Sequence, residues 1–364
     1  MLLREGDVIG RSYTVERFLG EGAFAEVYRV KHRNFGRQAM KVFKQHGTIE
    51  EIDQLLEEAN ILSGIGHRNV IRVFHADIIE TDEGGRGFFT MEYVAGGSLQ
   101  QFWRSFGDQL VPVETVVDIA KQVCQGLSIA HCGELPIVHR DIKPQNILVG
   151  YDAGGLRACV SDFGLARRVN PLMLQVSARG TRCFKAPETF RDPMGDSYAG
   201  DVWAVGVTLY LMLTDQFPYA LGQMESLGIK CFDCPLVPPS RYNIRVDPAL
   251  DRILFRALAL EKEKRYSNAK EMLEDLSEWK LQPVETGNGW SESSSSESKS
   301  IYGEQTSADE SAALQMVEQA IQISRQRSRL GEAADLMEEA FNKWPALREE
   351  YEPQLKNWRR GVVM

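Results

Sequence analysis

Two short polar stretches carry the side chains best suited to chemistry. One is His139-Arg140-Asp141-Ile142-Lys143-Pro144-Gln145-Asn146, set between the apolar pair Ile137-Val138 and the apolar run Ile147-Leu148. The other is Ser161-Asp162-Phe163-Gly164, at the end of Ala158-Cys159-Val160. The apolar runs read as short strands, which sets Asp141, Lys143, Asn146 and Asp162 on loops at the edge of a small sheet, where side chains can converge. Asp162 and Asn146 offer the hard oxygens that a magnesium ion accepts while keeping waters and binding phosphates. Asp141 is spaced away from both and can take a hydrogen bond from an incoming hydroxyl.

The segments that must position these groups follow from periodicity and turn residues. Tyr13 to Leu19 and Val27 to Val30 read as paired strands around Gly20 and Gly22, where glycine lets backbone N–H groups approach an anion. Lys41 lies in the strand Gln38-Ala39-Met40-Lys41-Val42-Phe43, among apolar neighbours, so its charge needs a partner. Ile49 to Ile61 is helical in period and carries two acids, Glu57 and Glu58. Ile71 to Phe74 and Gly87 to Val94 read as further strands joined by the acidic turn Glu80 to Gly85. The second leads through Ala95-Gly96-Gly97-Ser98 into a helix. Pro112 to Cys132 reads as an amphipathic helix whose His131 is a core or capping residue. Tyr198 to Gly206 opens a strongly apolar helix.

The run His139 to Asn146, Asp162-Phe163-Gly164 and Ala186-Pro187-Glu188, in that order, resemble the eukaryotic-type (Hanks-type) serine/threonine protein kinases. The short loops resemble those of bacterial members. The resemblance covers Tyr13 to Leu281 and implies an α+β, two-lobed protein-kinase fold: a small β-rich N-lobe (13–95) and a large helical C-lobe (96–281). Residues 1–12 would be an N-terminal extension, 282–311 a Ser-rich acidic linker without order, and 312–364 an appended all-α C-terminal segment.

By the same resemblance, ATP and Mg2+ are the cofactors. The nucleotide would be covered by Leu19, Gly20, Glu21, Gly22, Ala23, Phe24, Ala25, Glu26 and Val27, with Ala25 standing where the family has its third glycine. Ala39 and Leu148 would also belong to the ATP site, Met91 would guard its back pocket, and Glu92 and Val94 would meet the adenine edge through backbone groups. Lys41 would hold the α- and β-phosphates, paired with Glu58, or with Glu57 if the helix register differs. Asn146 and Asp162 would be the metal ligands, Asp141 the proton acceptor, and Lys143 a support for the transferring phosphate. Lys143 together with Thr181 resembles the serine/threonine-directed members.

Leu165 to Lys185 resembles an activation loop. Ser177 falls where many family members are phosphorylated, and Arg140 and Arg167 where basic residues receive that phosphate. Asp201 resembles the acid that braces the catalytic loop, and Arg265 the arginine that pairs with Glu188. Ser98 and Gln145 are neutral where arginine-directed kinases carry acids, which argues against substrates with arginine just before the target. The alternative reading is a pseudokinase scaffold whose helical tail recruits a partner; a small-molecule kinase of similar fold generally lacks the segment ending in Ala186-Pro187-Glu188.

Bulk properties set the remaining bounds. With 364 residues the chain is long enough for both lobes and an extra piece. A net charge of −9 argues against a general nucleic-acid or anionic-membrane binder. No apolar run approaches the roughly 18 residues needed to span a bilayer, and the N-terminus meets acid too early for a secretory signal. Six scattered cysteines suit a reducing cytoplasm. Cys231 and Cys234 have ligand spacing, but no second pair matches them, so they read as ordinary thiols. Protein substrates bearing serine or threonine are the expected partners.

Past Pro283 the composition turns serine-rich and polar. Ala312 to Arg359 is helical again, with Leu314, Val317, Ile321 and Ser324 on one stripe and Ala333, Leu336, Met337, Ala340 and Phe341 on another. Gly331, Ala333, Ala340 and Pro345 weakly resemble a tetratricopeptide helix. One such repeat cannot bury its own face. The segment is therefore expected to dock on the rest of the chain, self-associate, or bind a partner helix.

Overall fold

A computed structural model describes residues 1–46, 52, 56, 59, 63–81, 84–107, 109–133, 136–163, 182–192, 195–223, 228–280 and 303–362. Its N-terminal part is an antiparallel sheet of β1 (Val8–Ile9), β2 (Tyr13–Glu21), β3 (Ala25–His32), β4 (Gly36–His46), β5 (Val73–Thr81) and β6 (Gly84–Glu92), in the order β1-β2-β3-β4-β6-β5. Period-2 alternation buries both faces. Tyr28, Val30, Met40, Val42 and Phe88 pack with Leu3 and Ile9 on one face. Ala25, Ala39, Phe43, Phe89 and Met91 pack on the other. Ile52, Leu56 and Ala59, helical and spaced as one helix face, close that second layer. Lys41 shares the phase of Ala39 and Phe43, alternating with Met40 and Val42, and so emerges on the second face. The β5–β6 strands run further into the acidic turn than the sequence pattern suggested, pairing as far as Thr81 and Gly84.

The lower part is helical: α1 (Leu99–Arg104), α2 (Val113–Cys132), α3 (Tyr198–Thr214), α4 (Pro248–Ala257) and α5 (Ala269–Glu278). Ser98 caps α1 in a reciprocal capping box with Gln101, so its side chain serves the turn out of the upper sheet. α3 is buried along nearly its whole length, from Ala199 to Thr214. A two-stranded antiparallel ribbon, β7 (Ile147–Asp152) and β8 (Gly155–Val160), lies against α2.

Three further helices follow: α6 (Gly303–Ser324), α7 (Leu330–Lys343) and α8 (Leu347–Arg359). α6 starts inside the stretch 282–311 expected as linker. Its first turns are rich in helix-forming but polar residues, which leave no apolar stripe for periodicity to detect. Of the first stripe, Val317 and Ser324 are buried as expected, while the other two positions are off by one. Ala313, Val317 and Ala320 are buried, Ile321 is only partly buried, and Leu314 is 42% exposed. α7 buries Ala333, Ala334, Met337, Ala340 and Phe341, with Leu336 at the edge. Together with Leu355 and Trp358 these form a core separate from that of the lobes, joined at its margin by Tyr151 of β7. Of the three outcomes expected for this segment, docking on the rest of the chain is the one observed.

At the centre of that docking face, Glu338 has a side chain only 1% exposed. Its Oε1 accepts from Arg359 Nη2 at 2.6 Å and from the Tyr151 N–H at 3.2 Å. Burial pushes its carboxyl up to about 7, against the downward pull of Arg359. The neighbouring Asp335 is raised as well, again by burial. The folded chain thus holds a proton on Glu338 that the unfolded chain has already released between the ordinary glutamate value and about pH 7. Stability contributed here falls as pH rises through that window. Thermal unfolding of the full chain between pH 5 and 8 should show this decline, and Glu338→Gln should flatten it. Parallel pH profiles for the two proteins would contradict the assignment.

Candidate active site

The register of the β7–β8 ribbon builds the site. Ile147 pairs with Val160, so Asn146 just before one strand lies opposite Ser161 just after the other. Asn146 O accepts from the Ser161 N–H at 2.8 Å and from its hydroxyl at 3.0 Å, which locks the two loop entrances together. Asp162 then turns with φ +60, a left-handed conformation that carbon-branched residues avoid, and Arg140 does the same with φ +71. Phe163 is fully buried beside the His139 ring, with ring centroids 4.5 Å apart. His139 Nδ1 accepts from the Asp141 N–H at 3.2 Å, so its Nε2 carries the proton and donates to Ser161 O at 2.9 Å. Burial holds this imidazole below its ordinary pKa, outweighing the Asp201 charge.

Across the cleft, Lys41 Nζ reaches Asp162 Oδ1 at 2.5 Å. Burial alone would raise the Asp162 carboxyl, but Lys41, with His139 and Lys143 behind it, holds it below the usual aspartate value. Asp141 Oδ2 accepts from Lys143 Nζ at 2.8 Å and from Asn146 Nδ2 at 2.9 Å. Asp141 Oδ1 is shielded from solvent and has no hydrogen-bond partner among the described residues. Since the Asn146 amide nitrogen is turned to Asp141, its oxygen is the atom presented elsewhere. One carboxylate and one amide oxygen on adjoining loops are donors of the hardness that a magnesium ion prefers.

Deeper ties hold these loops. Asp201, in the first turn of α3, accepts from the His139 N–H at 2.7 Å and the Arg140 N–H at 2.8 Å. His131 Nδ1 accepts from the Ala269 N–H, so its Nε2 donates to Asp201 at 3.0 Å, and the residue is the buried core histidine the sequence indicated. Glu188 and Arg265 form a two-pronged pair at 2.8 and 2.6 Å, with the arginine side chain fully buried over Trp203.

Geometry and comparison agree. The protein kinase domain family matches residues 13–277. The chain belongs to the protein kinase family. A "Probable serine/threonine-protein kinase" of Clostridium acetobutylicum is 30% identical over 277 residues, which is 75% of this chain and 40% of that protein. Serine/threonine-protein kinase PknB of Mycolicibacterium smegmatis is 29% identical over 72% of this chain and 42% of its own length. The chain thus spans about two fifths of these relatives. The crystal structure of the Mycobacterium tuberculosis PknI kinase domain is similar at a TM-score of 0.55 and 25% identity, over 76% of this chain and 99% of that domain.

Set in this kinase fold, Lys41, Asp141, Lys143, Asn146 and Asp162 come together, and Asp201, Glu188 and Arg265 lie where they can hold them. Gly20 and Gly22 lie on the β2–β3 hairpin, closed by the Gly22 N–H on Ala25 O at 2.8 Å, and Ala25 is buried in the sheet core. Glu26 departs from the nucleotide-facing role expected of it. Its side chain is buried on the opposite face, against Tyr28 and the Leu2 N–H, because alternation turns it away from Ala25 and Val27. Met91 is buried in the core, and the Glu92 N–H donates to Arg72 O at 2.9 Å, so only the Glu92 carbonyl is a candidate for the base edge. Glu57, Glu58, Arg167, Ser177 and Thr181 lie outside the described residues. Arg140 is 39% exposed and only loosely paired, with Asp196 Oδ2 at 3.8 Å.

Sequence reasoning missed the pair Glu92–Arg157, in which Arg157 grips the Glu92 carboxylate with both terminal nitrogens and donates through Nε to Arg68 O at 2.6 Å. It ties the end of β6 to β8 across a long stretch of chain, and no local pattern announces it. Among the described residues no helix is long and apolar enough to cross a membrane, and no cluster of three or more His, Cys, Asp or Glu could hold a metal on its own.

Asp201→Asn tests the brace, because an amide nitrogen would then face a main-chain N–H in a buried site. Each buried donor left unpaired costs about 1–3 kcal/mol, so urea unfolding should show a loss of about 2–4 kcal/mol. An unchanged unfolding midpoint would show that these bonds do not hold the loop.

Proposed function

We propose that this chain is a serine/threonine protein kinase that transfers the γ-phosphate of ATP to serine and threonine hydroxyls of proteins. The observation that carries the reading is a convergence: Asp141, its side chain 34% exposed and its Oδ2 held by Lys143 and Asn146, lies on the loop beside the Lys41–Asp162 pair. That carboxylate is the group to orient a substrate hydroxyl and accept its proton. The hydroxyl oxygen forms a bond to the γ-phosphorus, the bond from that phosphorus to the bridging oxygen breaks, and ADP leaves. Lys143 steadies the phosphate in transfer. Lys41 faces the α- and β-phosphates, and the hairpin 19–27 covers them through its backbone. Magnesium fits the Asp162 and Asn146 oxygens and, when bound with ATP, neutralises charge on the phosphates.

The specificity and regulation expected from the sequence stay part of this reading. Lys143 with Thr181 shapes a slot for an aliphatic hydroxyl, Glu58 pairs with Lys41, and phosphate on Ser177 is received by Arg140 and Arg167 after autophosphorylation. Arg140, exposed and loosely paired, is available to a stronger anion than Asp196. We take residues 13–281 as the catalytic unit.

Incubating the full chain with labelled ATP, magnesium and a generic protein substrate tests the proposal. Label should appear on serine and threonine, and Asp141→Asn should lower the rate by about 10²–10⁴-fold. In the same assay Ser177→Ala should lose one phosphate by intact mass and lose activity. Equal labelling by wild type and Asp141→Asn would reject the transfer chemistry; unchanged activity in Ser177→Ala would reject the switch alone.

A further inference from the structure

The docking of α7 is not spread evenly over the lobes; it is aimed at the segment that joins them. Glu339, with a side chain only 9% exposed, gathers three donors on one oxygen: Tyr93 Oη at 2.7 Å, Arg29 Nη1 at 2.8 Å and Arg17 Nη2 at 2.9 Å. Arg17 and Arg29 belong to β2 and β3, and Tyr93 is the residue following β6. One turn on, Asn342 Nδ2 donates to Gly96 O at 2.9 Å, a main-chain group of the strap between the lobes. On the lower side, Glu338 accepts from the Tyr151 N–H of β7. Arg348 of α8 lies over the Phe102 ring, 4.6 Å from its centroid, and donates to Ser105 Oγ at 2.9 Å, while Arg360 Nε donates to Ala153 O at 3.1 Å. One helical unit therefore holds the upper lobe, the lower lobe and the strap at once.

Two glycines make this approach fit. A Cβ on Gly96 would lie 3.1 Å from Glu338 Oε2 and would collide with Val149 O. A Cβ on Gly150 would lie 3.0 Å from the same Glu338 oxygen and 2.9 Å from Val94 Cγ1. The contacts onto Tyr93 and Gly96 are polar, whereas the helices' apolar side chains pack mainly among themselves in a core of their own. A polar interface of this kind fixes geometry more than it adds stability. Burial and then the Glu339 charge push the Tyr93 hydroxyl up to about 12, so it stays protonated and donates to that carboxylate.

We infer that α7 is a built-in brace on the nucleotide hinge, with Glu339 and Asn342 as positioning residues. Acting through Tyr93 and the Gly96 carbonyl, they set the strap whose Glu92 and Val94 face the base edge, so the appended helices govern ATP affinity without touching ATP. The inference rests on the kinase reading above.

The test uses the full chain and two readouts: equilibrium binding of a non-hydrolysable ATP analogue with magnesium, and the KM for ATP against kcat. The double substitution Glu339→Ala with Asn342→Ala should weaken analogue binding and raise KM by about 5-fold or more, with kcat at saturating ATP within about 2-fold of wild type. Glu339→Gln keeps an acceptor oxygen for Tyr93 and Arg29 and should fall between the two. If the double variant fails to fold, Tyr93→Phe decides on the same readouts, since it keeps the ring and deletes the hydroxyl's bond to Glu339 together with the one it accepts from Arg17. Unchanged affinity and KM, or a fall in kcat at constant KM, would overturn the brace. A wild-type chain that binds no analogue would overturn the kinase reading, and the brace with it.

Discussion

A lysine from the upper sheet and an aspartate from the lower ribbon meet across the cleft at 2.5 Å, and the architecture is arranged to keep them there. Burial works against the Asp162 charge, and the Lys41 ammonium more than offsets it. A partly buried carboxylate is far less costly when a cation stands beside it. The pair thus joins two lobes through one electrostatic contact. On the proposed reading, a nucleotide's phosphates would be held by Lys41 and a metal by Asp162.

Two further anchors convert that contact into a site. Asp201 fixes the main chain at His139 and Arg140 from below, which holds Arg140 in its left-handed turn and aims Asp141. The Arg265–Glu188 pair, buried over Trp203, fastens the segment ending in Ala186-Pro187-Glu188 to the helical lobe. Both anchors are carboxylates with several donors each, a stronger tie than a single neutral hydrogen bond. The appended helices add a third tie, from outside the cleft, through Glu339 and Asn342 on the strap.

The reactive loops were legible in the sequence because their chemistry demands fixed residue types at fixed spacing: Asp141, Lys143 and Asn146 within one loop, and Asp162 directly after a strand. The sheet was legible because alternation in Gln38 to Phe43 and Gly87 to Val94 reports buried faces. Contacts between distant polar residues outside those motifs left no such trace. Glu92–Arg157 and Glu339–Arg29 join charges that look, one at a time, like ordinary surface residues. Hydrophobic periodicity placed Val317 and Ser324 of α6 inside, as they are, but chose Leu314 and Ile321 where small Ala313 and Ala320 face the core. In helices packed this closely, alanine marks the contact line and periodicity weighted by bulk looks past it. The face that docks on the lobes is polar, so no apolar stripe could reveal it.

The claim that most needs a direct test is that Lys41 and Asp162 flank one metal–nucleotide complex. Titration of a non-hydrolysable ATP analogue with and without magnesium, on wild type, Asp162→Asn and Lys41→Met, addresses it. Binding by wild type should be strengthened by magnesium, Asp162→Asn should lose that strengthening, and Lys41→Met should bind more weakly under both conditions. Full magnesium dependence in Asp162→Asn would contradict the account.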